Sequence, residues 1–253
     1  MALVLTPRQY ALLWQVIDKY IETGEPVSSK ALATSGAFEI GSATIRNELA
    51  EMEEGGYLEQ LHTSGGRVPT ARAYRAYVNG LIASEGVAIG TAARRRIDEA
   101  LNDIDLRDGE VVNRTLAKIV GSISQNLVLA NMESRPQPYT VGLSGMILFP
   151  EFQNANRLAG LAQFIDEFED MFERLHRQLW SQEDGEVKIC IGAENPTQYI
   201  RDETMIVARY RLPGGHEGTL TLIGPMRMDY RKNLGLVTYA AQTANRIAHH
   251  YRK

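Results

Sequence analysis

The chain has 253 residues, of which 44% are hydrophobic and 23% charged, and a formal net charge of −4. This is the composition of an ordinary globular protein. The net charge excludes a chain that is basic throughout. A local basic face stays possible, because the electrostatic field near a site depends on how the charges are distributed. Cys190 is the only cysteine, which excludes an intrachain disulfide or a cysteine-cluster zinc site, and we interpret it as a core residue.

The N-terminal residues predict no targeting segment. "MALVLTPRQYALLW" has no basic region before its apolar residues, and Pro7, Arg8 and Gln9 interrupt the apolar run, unlike a signal peptide. No stretch approaches the roughly 18 apolar residues that a membrane-spanning helix needs. We therefore expect a cytoplasmic protein.

The first two predicted helices have clear start and stop signals. Thr6, Pro7 and Gln9 have the spacing of an N-cap, a first-turn proline and a capping box. Apolar residues then recur at helical spacing until Gly24 ends the helix. Ser28 is predicted to begin a second, short helix.

A third helix and a hairpin follow in close succession. Ser42 is predicted to cap a third helix that runs to about Glu54, ahead of a double glycine. "YLEQLH" and "RVP" flank turn residues 63–66, which is typical of a hairpin, and Thr70 is predicted to cap a fourth helix. Three helices followed by a two-stranded ribbon is the order of a winged helix-turn-helix, in which one helix enters the major groove of DNA.

The third helix has two distinct faces. One is an apolar stripe that is expected to pack on the core: Ile45, Leu49 and Met52. The other stripe consists of Ala43, Arg46, Asn47 and Ala50. Arginine can donate two hydrogen bonds to guanine, and asparagine can bridge the N6 and N7 atoms of adenine. A solvated helix face is the alternative, but the winged helix-turn-helix order favours base recognition.

Charge is unevenly distributed in this region. Up to Gly80 there are seven Lys/Arg and nine Asp/Glu residues, but five acids cluster in and just after the second half of the third helix: Glu48, Glu51, Glu53, Glu54 and Glu59. Residues 60–80 contain His62 and no acid, and we expect their three arginines mainly to hold phosphates: Arg67, Arg72 and Arg75. We expect the acidic end to point away from phosphates, and residues 28–30 to contact them through hydroxyl and ammonium groups.

The rest of the chain is expected to form a mixed helix and strand region. Two polar helical segments, "TAARRRIDEALNDI" and "EVVNRTLAKIVGSISQNLVLANM", precede a helix from about Asn156 to Trp180. "VKICIG", "TMIVARY" and "GTLTLIG" are predicted strands, and a final helix starts near Asp229. The predicted fold class is α+β. The predicted domains are residues 1–84 for DNA binding, 85–135 as a helical connector with the first helix of the C-terminal domain, and 136–253 for the remainder.

No constellation of catalytic or metal-binding residues is evident. His62 has no ligand partner at metal-site spacing, and His249-His250 is more typical of an exposed pair. "GLSGM" only loosely resembles a nucleophile elbow, and no triad partners can be named. We expect neither an enzyme nor a cofactor.

Several blocks resemble the HrcA family of bacterial heat-inducible transcription repressors. They are "TGEPVSSKAL", "SATIRNELAEMEEGGYLEQLHTSGGRVPTARAYRAYV", "LFPEF", "IGAEN" and "IGPMRMDY". The resemblance implies a winged-helix domain followed by a GAF-like domain with an inserted dimerising domain. It implies binding to an inverted-repeat operator called CIRCE upstream of chaperone genes, and repressing activity that is maintained by the chaperonin GroEL.

The resemblance places the recognition signature at Ser42, Thr44, Arg46 and Asn47, and a wing signature at residues 62–65 and Arg67. Together with the residue patterns above, it gives the full candidate DNA-binding set: Ser28, Ser29, Lys30, Ser42, Ala43, Thr44, Arg46, Asn47, His62, Thr63, Ser64, Arg67, Thr70, Arg72 and Arg75.

The chain is short for this family, because only residues 132–143 separate a predicted helix from the segment that resembles the region beyond the insertion. We therefore expect a reduced GAF-like α/β domain without the dimerising insertion. A homodimer could then use a heptad-like helical seam: Leu158, Leu161, Ile165, Phe168, Phe172, Leu175 and Leu179. The same stripe could instead cover the C-terminal sheet, and the final helix competes for either role. A winged-helix regulator whose C-terminal domain senses a small molecule is the alternative function.

Overall fold

A computed structural model describes residues 5–61, 65–84, 87–172 and 187–251. The chain forms two compact units, Met1–Gly86 and Val87–Lys253. The first unit ends two residues beyond the predicted boundary at residue 84. The predicted boundary at residue 135 falls between two strands of the second unit that pair with each other. Residues 87–135 therefore belong to the second unit.

The first unit contains four helices and a two-stranded antiparallel ribbon. Its elements are α1 Pro7–Thr23, α2 Ser29–Thr34, α3 Ser42–Glu54, β1 Leu58–Glu59, β2 Val68–Pro69 and α4 Ala71–Ala83. The capping box at Thr6, the left-handed Gly24 after α1, and the caps at Ser28 and Thr70 confirm the sequence predictions. Ser42 is the first helical residue of α3 rather than its cap, which is Gly41.

The core of the first unit is made by the apolar stripes of α1, α3 and α4. All of these side chains are at most 1% exposed: Leu12, Leu13, Val16, Ile17, Ile45, Leu49, Met52, Tyr74, Val78 and Leu81. Because Ile45, Leu49 and Met52 point inward, α3 presents its opposite face to solvent.

The second unit is a five-stranded antiparallel sheet with helices. Its elements are α5 Thr91–Asn102, α6 Gly109–Ser124, β3 Leu127–Met132, β4 Arg135–Val141, α7 Leu143–Met146, α8 Ala155–Asp166, β5 Val187–Ile191, β6 Glu203–Arg211, β7 Glu217–Pro225 and α9 Tyr230–His250. The strand order is β4-β3-β7-β6-β5. The three predicted strands and the final helix after Asp229 are confirmed.

One predicted helix is wrong in its second half. The segment from Glu110 to Met132 was expected to be helical throughout, but α6 ends at Ser124 and Gln125 adopts a left-handed φ of 59°. Residues 127–132 form the fully buried strand β3, which pairs with both β4 and β7. A short apolar run has no periodicity that separates a buried strand from a buried helix, so the error is intrinsic to the pattern.

Most of the described residues of the candidate dimer seam pack inside their own unit. The predicted helix of residues 156–180 breaks at Glu167, and residues 168–172 are helical again. Leu161 and Phe168 are 1% and 2% exposed in the core of their own unit, and Ile165 and Phe172 pack against that core. Leu158 is 38% exposed. Leu175 and Leu179 lie outside the described residues. The described part of the stripe, apart from Leu158, therefore packs on the core of its own unit, which favours the alternative that it covers the sheet.

Both faces of the sheet are covered by helices. Alternate residues of β3, β6 and β7, including Leu129, Val207 and Ile223, form one core with α7 and α8. The intervening residues, such as Val128 and Ile206, are also buried, and α6 and α9 contact β3 and β6. Because successive side chains of a strand point to opposite faces, the two sets of helices lie on opposite sides.

Candidate nucleic-acid interface

The predicted recognition face of α3 is exposed. Ala43, Thr44, Arg46 and Asn47 are exposed in the first two turns of the helix. Ser42 is half-buried, and its Oγ lies 3.2 Å from the Oγ of Ser29 at the start of α2. The second and third helices therefore meet at their first residues, and the exposed side chains of α3 project beyond this contact.

The opposite side of α3 is fastened to the start of α1. The Arg8 guanidinium forms an ion pair with the buried Glu48 carboxylate, with 2.7 Å between Nε and Oε1. The Gln9 amide donates to Oε2 of Glu51 at 2.8 Å. Sequence reasoning did not single out Arg8 or Gln9 for this role, because both partners lie about 40 residues away and no local spacing signals the contact.

Arg67 joins the ribbon to the rest of the first unit. Its backbone exchanges two hydrogen bonds of 2.9 Å with Val27, just before α2. Its side chain is 13% exposed and pairs with Glu53, with 2.9 Å between Nε and Oε2. The expectation that Arg67 mainly holds phosphates is not supported by this geometry, because its guanidinium is bound to a carboxylate of α3.

Arg72 and Thr70 join the end of α3 to α4. Arg72 donates to the Gly55 carbonyl at 2.7 Å, and its guanidinium lies over the Tyr57 ring at 4.3 Å. The Thr70 hydroxyl, which caps α4, also donates to the Gly56 carbonyl at 2.8 Å. Arg75 is half-buried and also has a partner. These candidates therefore have structural roles in the isolated unit.

The remaining candidates lie near the start of α2 or outside the described residues. The Ser28 Oγ accepts from the Ala31 amide at 3.1 Å, and Lys30 is exposed. His62, Thr63 and Ser64 lie outside the described residues, so the turn of the ribbon remains a prediction.

These contacts bind three of the four acids of α3 within the first unit. Glu48 and Glu53 are paired with arginines, and Glu51 accepts from Gln9. Two of the four carboxylates of α3 are therefore neutralised by arginines of their own unit, which lowers their repulsion of an approaching polyanion.

Neither a metal cluster nor a membrane span is found in the described parts of the chain. No group of three or more His, Cys, Asp or Glu side chains there could hold a metal ion. None of the helices described has the length and apolar character to cross a membrane.

The geometry defines a two-unit protein in which a small unit of helices and a ribbon exposes a polar helix face. A family model described as the HrcA protein C terminal domain matches residues 78–234. This match covers more than half of the chain, which therefore belongs to the HrcA family.

Individual relatives are similar over nearly the whole chain. The heat-inducible transcription repressor HrcA of Desulforudis audaxviator is 24% identical over 336 positions, covering 95% of this chain and 97% of that protein. The HrcA of Natranaerobius thermophilus is 28% identical over 330 positions, covering 95% of each chain. Because these alignments are longer than the chain's 253 residues, the relatives contain segments that this chain lacks.

A solved structure supports the fold. The crystal structure of a hypothetical protein at 2.2 Å resolution has a TM-score of 0.77 and 17% sequence identity, and the match covers 97% of this chain and 99% of that one.

Proposed function

We propose that this protein is a sequence-specific transcriptional repressor of heat-shock genes that binds DNA through its first unit. In this proposal the first unit is a winged helix-turn-helix, α3 is its recognition helix and the β1–β2 ribbon is its wing. The observation that carries the proposal is the exposure of Arg46 and Asn47 on a helix whose central acids are bonded inside the unit. The similarity to heat-inducible transcription repressors of the HrcA family favours the same role for this chain.

The exposed face is suited to reading base edges. Arg46 can donate two hydrogen bonds to the O6 and N7 of guanine, and Asn47 can pair with the N6 and N7 of adenine. The small side chains of Ala43 and Ala50 allow the helix backbone to approach the groove, where a methyl group can meet that of thymine. Ser28, Ser29 and Lys30 are then positioned at the adjacent phosphates, and these contacts would orient the unit without reading sequence.

The second unit is proposed to be a reduced GAF-like domain that helps two copies bind an inverted repeat. A two-fold operator of the CIRCE type requires two recognition helices related by the same symmetry. Since the segment expected to form the dimer in other members is missing from this chain, the dimer must use another surface. We further propose a cytoplasmic protein whose active state is maintained by the chaperonin GroEL.

Footprinting on the promoters of the chaperone operons in the protein's own genome tests this function. We expect protection of an inverted repeat, with the two halves centred about one helical turn or a multiple of it apart. Arg46→Ala should abolish the preference for this site. Uniform protection that does not depend on sequence would contradict the proposal.

Chaperonin dependence has its own test. Protein that has been mildly heated should lose operator binding and regain it better with chaperonin and ATP than alone. Complete recovery without the chaperonin would contradict this part of the proposal. A metabolite that switches binding at constant temperature would instead favour the small-molecule sensor.

A further inference from the structure

The basic side chains of the first unit fall into two groups. Four are engaged inside the protein: Arg8, Arg67, Arg72 and Arg75. The other three, Lys19, Lys30 and Arg46, form no hydrogen bond or ion pair through their side chains with any residue that the structure describes. Lys19 and Lys30 are also the only two lysines in the first 86 residues. Lys19 was not among the residues that the sequence pattern singled out.

Both lysines line the same open concavity. It has a volume of about 440 Å³ and lies between the last turns of α1 and the short helix α2. Its lining is Lys19, Ser28, Lys30, Ala31, Thr34 and Ser35. All six residues are described, and none is a carboxylate. Two positively charged side chains that line one concavity, with no carboxylate in its lining, favour an anion over a cation there.

The hydroxyl groups of the concavity differ in what they can donate. Thr34 donates its hydroxyl proton to the Lys30 carbonyl at 2.9 Å, and Ser35 donates to the Leu32 carbonyl at 2.7 Å. The Ser28 hydroxyl only accepts, from the Ala31 amide at 3.1 Å, and its own proton remains available. The concavity therefore offers two ammonium groups and one hydroxyl donor, which suit the oxygens of a phosphate.

We propose that this concavity, defined by Lys19, Ser28 and Lys30, holds one phosphate group of the DNA backbone. The inference rests on the proposed function, because it places the phosphate beside the recognition helix. The contact between Ser29 and Ser42 fixes α2 against the first turn of α3, so a phosphate here belongs to a strand that borders the groove in front of Arg46. The concavity is open to solvent, and this openness is required because a backbone phosphate is joined to the DNA strand on both sides.

The dependence of DNA binding on salt tests the number of phosphates that the two lysines neutralise. The probe is a short random-sequence duplex, and the proteins are the full-length wild type, Lys19→Gln, Lys30→Gln and the double variant. Neutralising one phosphate contributes about 0.9 to the slope of log K against log salt concentration. We expect the double variant to lose about 0.9 in slope, and each single variant to lose less, because the remaining lysine still contacts the same phosphate.

A matched control and the contrary outcomes follow from the same measurement. Lys232→Gln removes an exposed lysine from the second unit and should leave the slope unchanged. An unchanged slope in the double variant would overturn the inference. Two independent losses that add to about 1.8 would also overturn it, since each lysine would then hold its own phosphate.

Failure of this inference can be distinguished from failure of the proposed function. If the wild type shows no sequence preference and no salt-dependent binding, the proposed function fails. If the wild type prefers an operator, Arg46→Ala loses that preference and the double lysine variant matches the wild type in slope, only the phosphate site fails.

Inorganic phosphate distinguishes a DNA phosphate from a free anion. At equal ionic strength, replacing chloride by phosphate should change the melting temperature of the wild type and of Lys19→Gln by the same amount. A phosphate-specific rise that Lys19→Gln abolishes would overturn the assignment to DNA.

Discussion

Phe168 is the residue at which the core and dimer-seam interpretations of the α8 region differ most. Its side chain is 2% exposed, and its ring contacts those of Phe164 and Phe172 at centroid distances of 5.3 and 5.8 Å. Replacing a buried phenylalanine by alanine costs about 3–5 kcal/mol. Each aromatic pair contributes about 0.5–1.5 kcal/mol of that cost. Because Phe168→Ala loses two such pairs, we expect a value in the upper half of the range.

Urea unfolding of the full chain, followed by circular dichroism, measures this loss. Leu158→Ala is the matched control on the preceding turns of the same region, since Leu158 is 38% exposed and its truncation should cost less than about 1 kcal/mol. Sedimentation at micromolar concentration is measured in parallel. If Phe168→Ala unfolds like the wild type and sediments as a monomer where the wild type is a dimer, the seam interpretation is restored and our reasoning is refuted.

Three further changes test contacts inside the individual units. Arg8→Ala leaves the Glu48 carboxylate without its partner and should reduce the free energy of unfolding by about 1–3 kcal/mol. Urea unfolding measures this loss, and an unchanged free energy would mean that water replaces the guanidinium. Burial raises the pKa of Glu203 above its ordinary value of 4.5, so the stability that this group contributes is fully present below pH 4.5 and is lost as pH rises through the raised pKa. Glu203→Gln should flatten this decline in urea titrations at a series of pH values, and parallel profiles would contradict it. A Cβ at Gly66 would lie 2.6 Å from the backbone of Val27, so Gly66→Ala should reduce the stability of the first unit by about 1–3 kcal/mol. A variant with the same melting temperature as the wild type would contradict this expectation.

The sequence predicted the helix boundaries of the first unit well because their signals are local. The capping box at Thr6 and the caps at Ser28 and Thr70 depend on atoms within three residues of each other. The two faces of α3 follow from helical spacing alone, since the period of 3.6 residues separates Ile45 from Arg46 by 100°.

The roles of the arginines could not be predicted because their partners are distant in sequence. Arg67 and Arg72 were expected to face phosphates, but they bind Glu53 and the Gly55 carbonyl, which lie 14 and 17 residues away. A count of charges along the chain does not reveal which ones neutralise each other. For the same reason, Lys19 became a candidate only when the fold placed it beside Lys30.

The second unit was predicted less completely because its pattern is ambiguous. The apolar residues 127–132 fit both a helix and a buried strand, and only the pairing with β4 and β7 decides between them. The stripe from Leu161 to Phe168 likewise fits both a seam and a sheet cover. The burial of Leu161 and Phe168 in the core of their own unit favours the cover.

The ratio of affinities for the footprinted site and for a scrambled duplex tests the central claim most directly. The ratio is measured for the wild type, Arg46→Ala and Lys30→Gln at one salt concentration. Loss of a bidentate base contact should cost about 1–3 kcal/mol on the specific site alone, so Arg46→Ala should lower the ratio while Lys30→Gln weakens both affinities and preserves it. If Arg46→Ala lowers both affinities by the same factor, α3 does not read bases through this face and the account is contradicted.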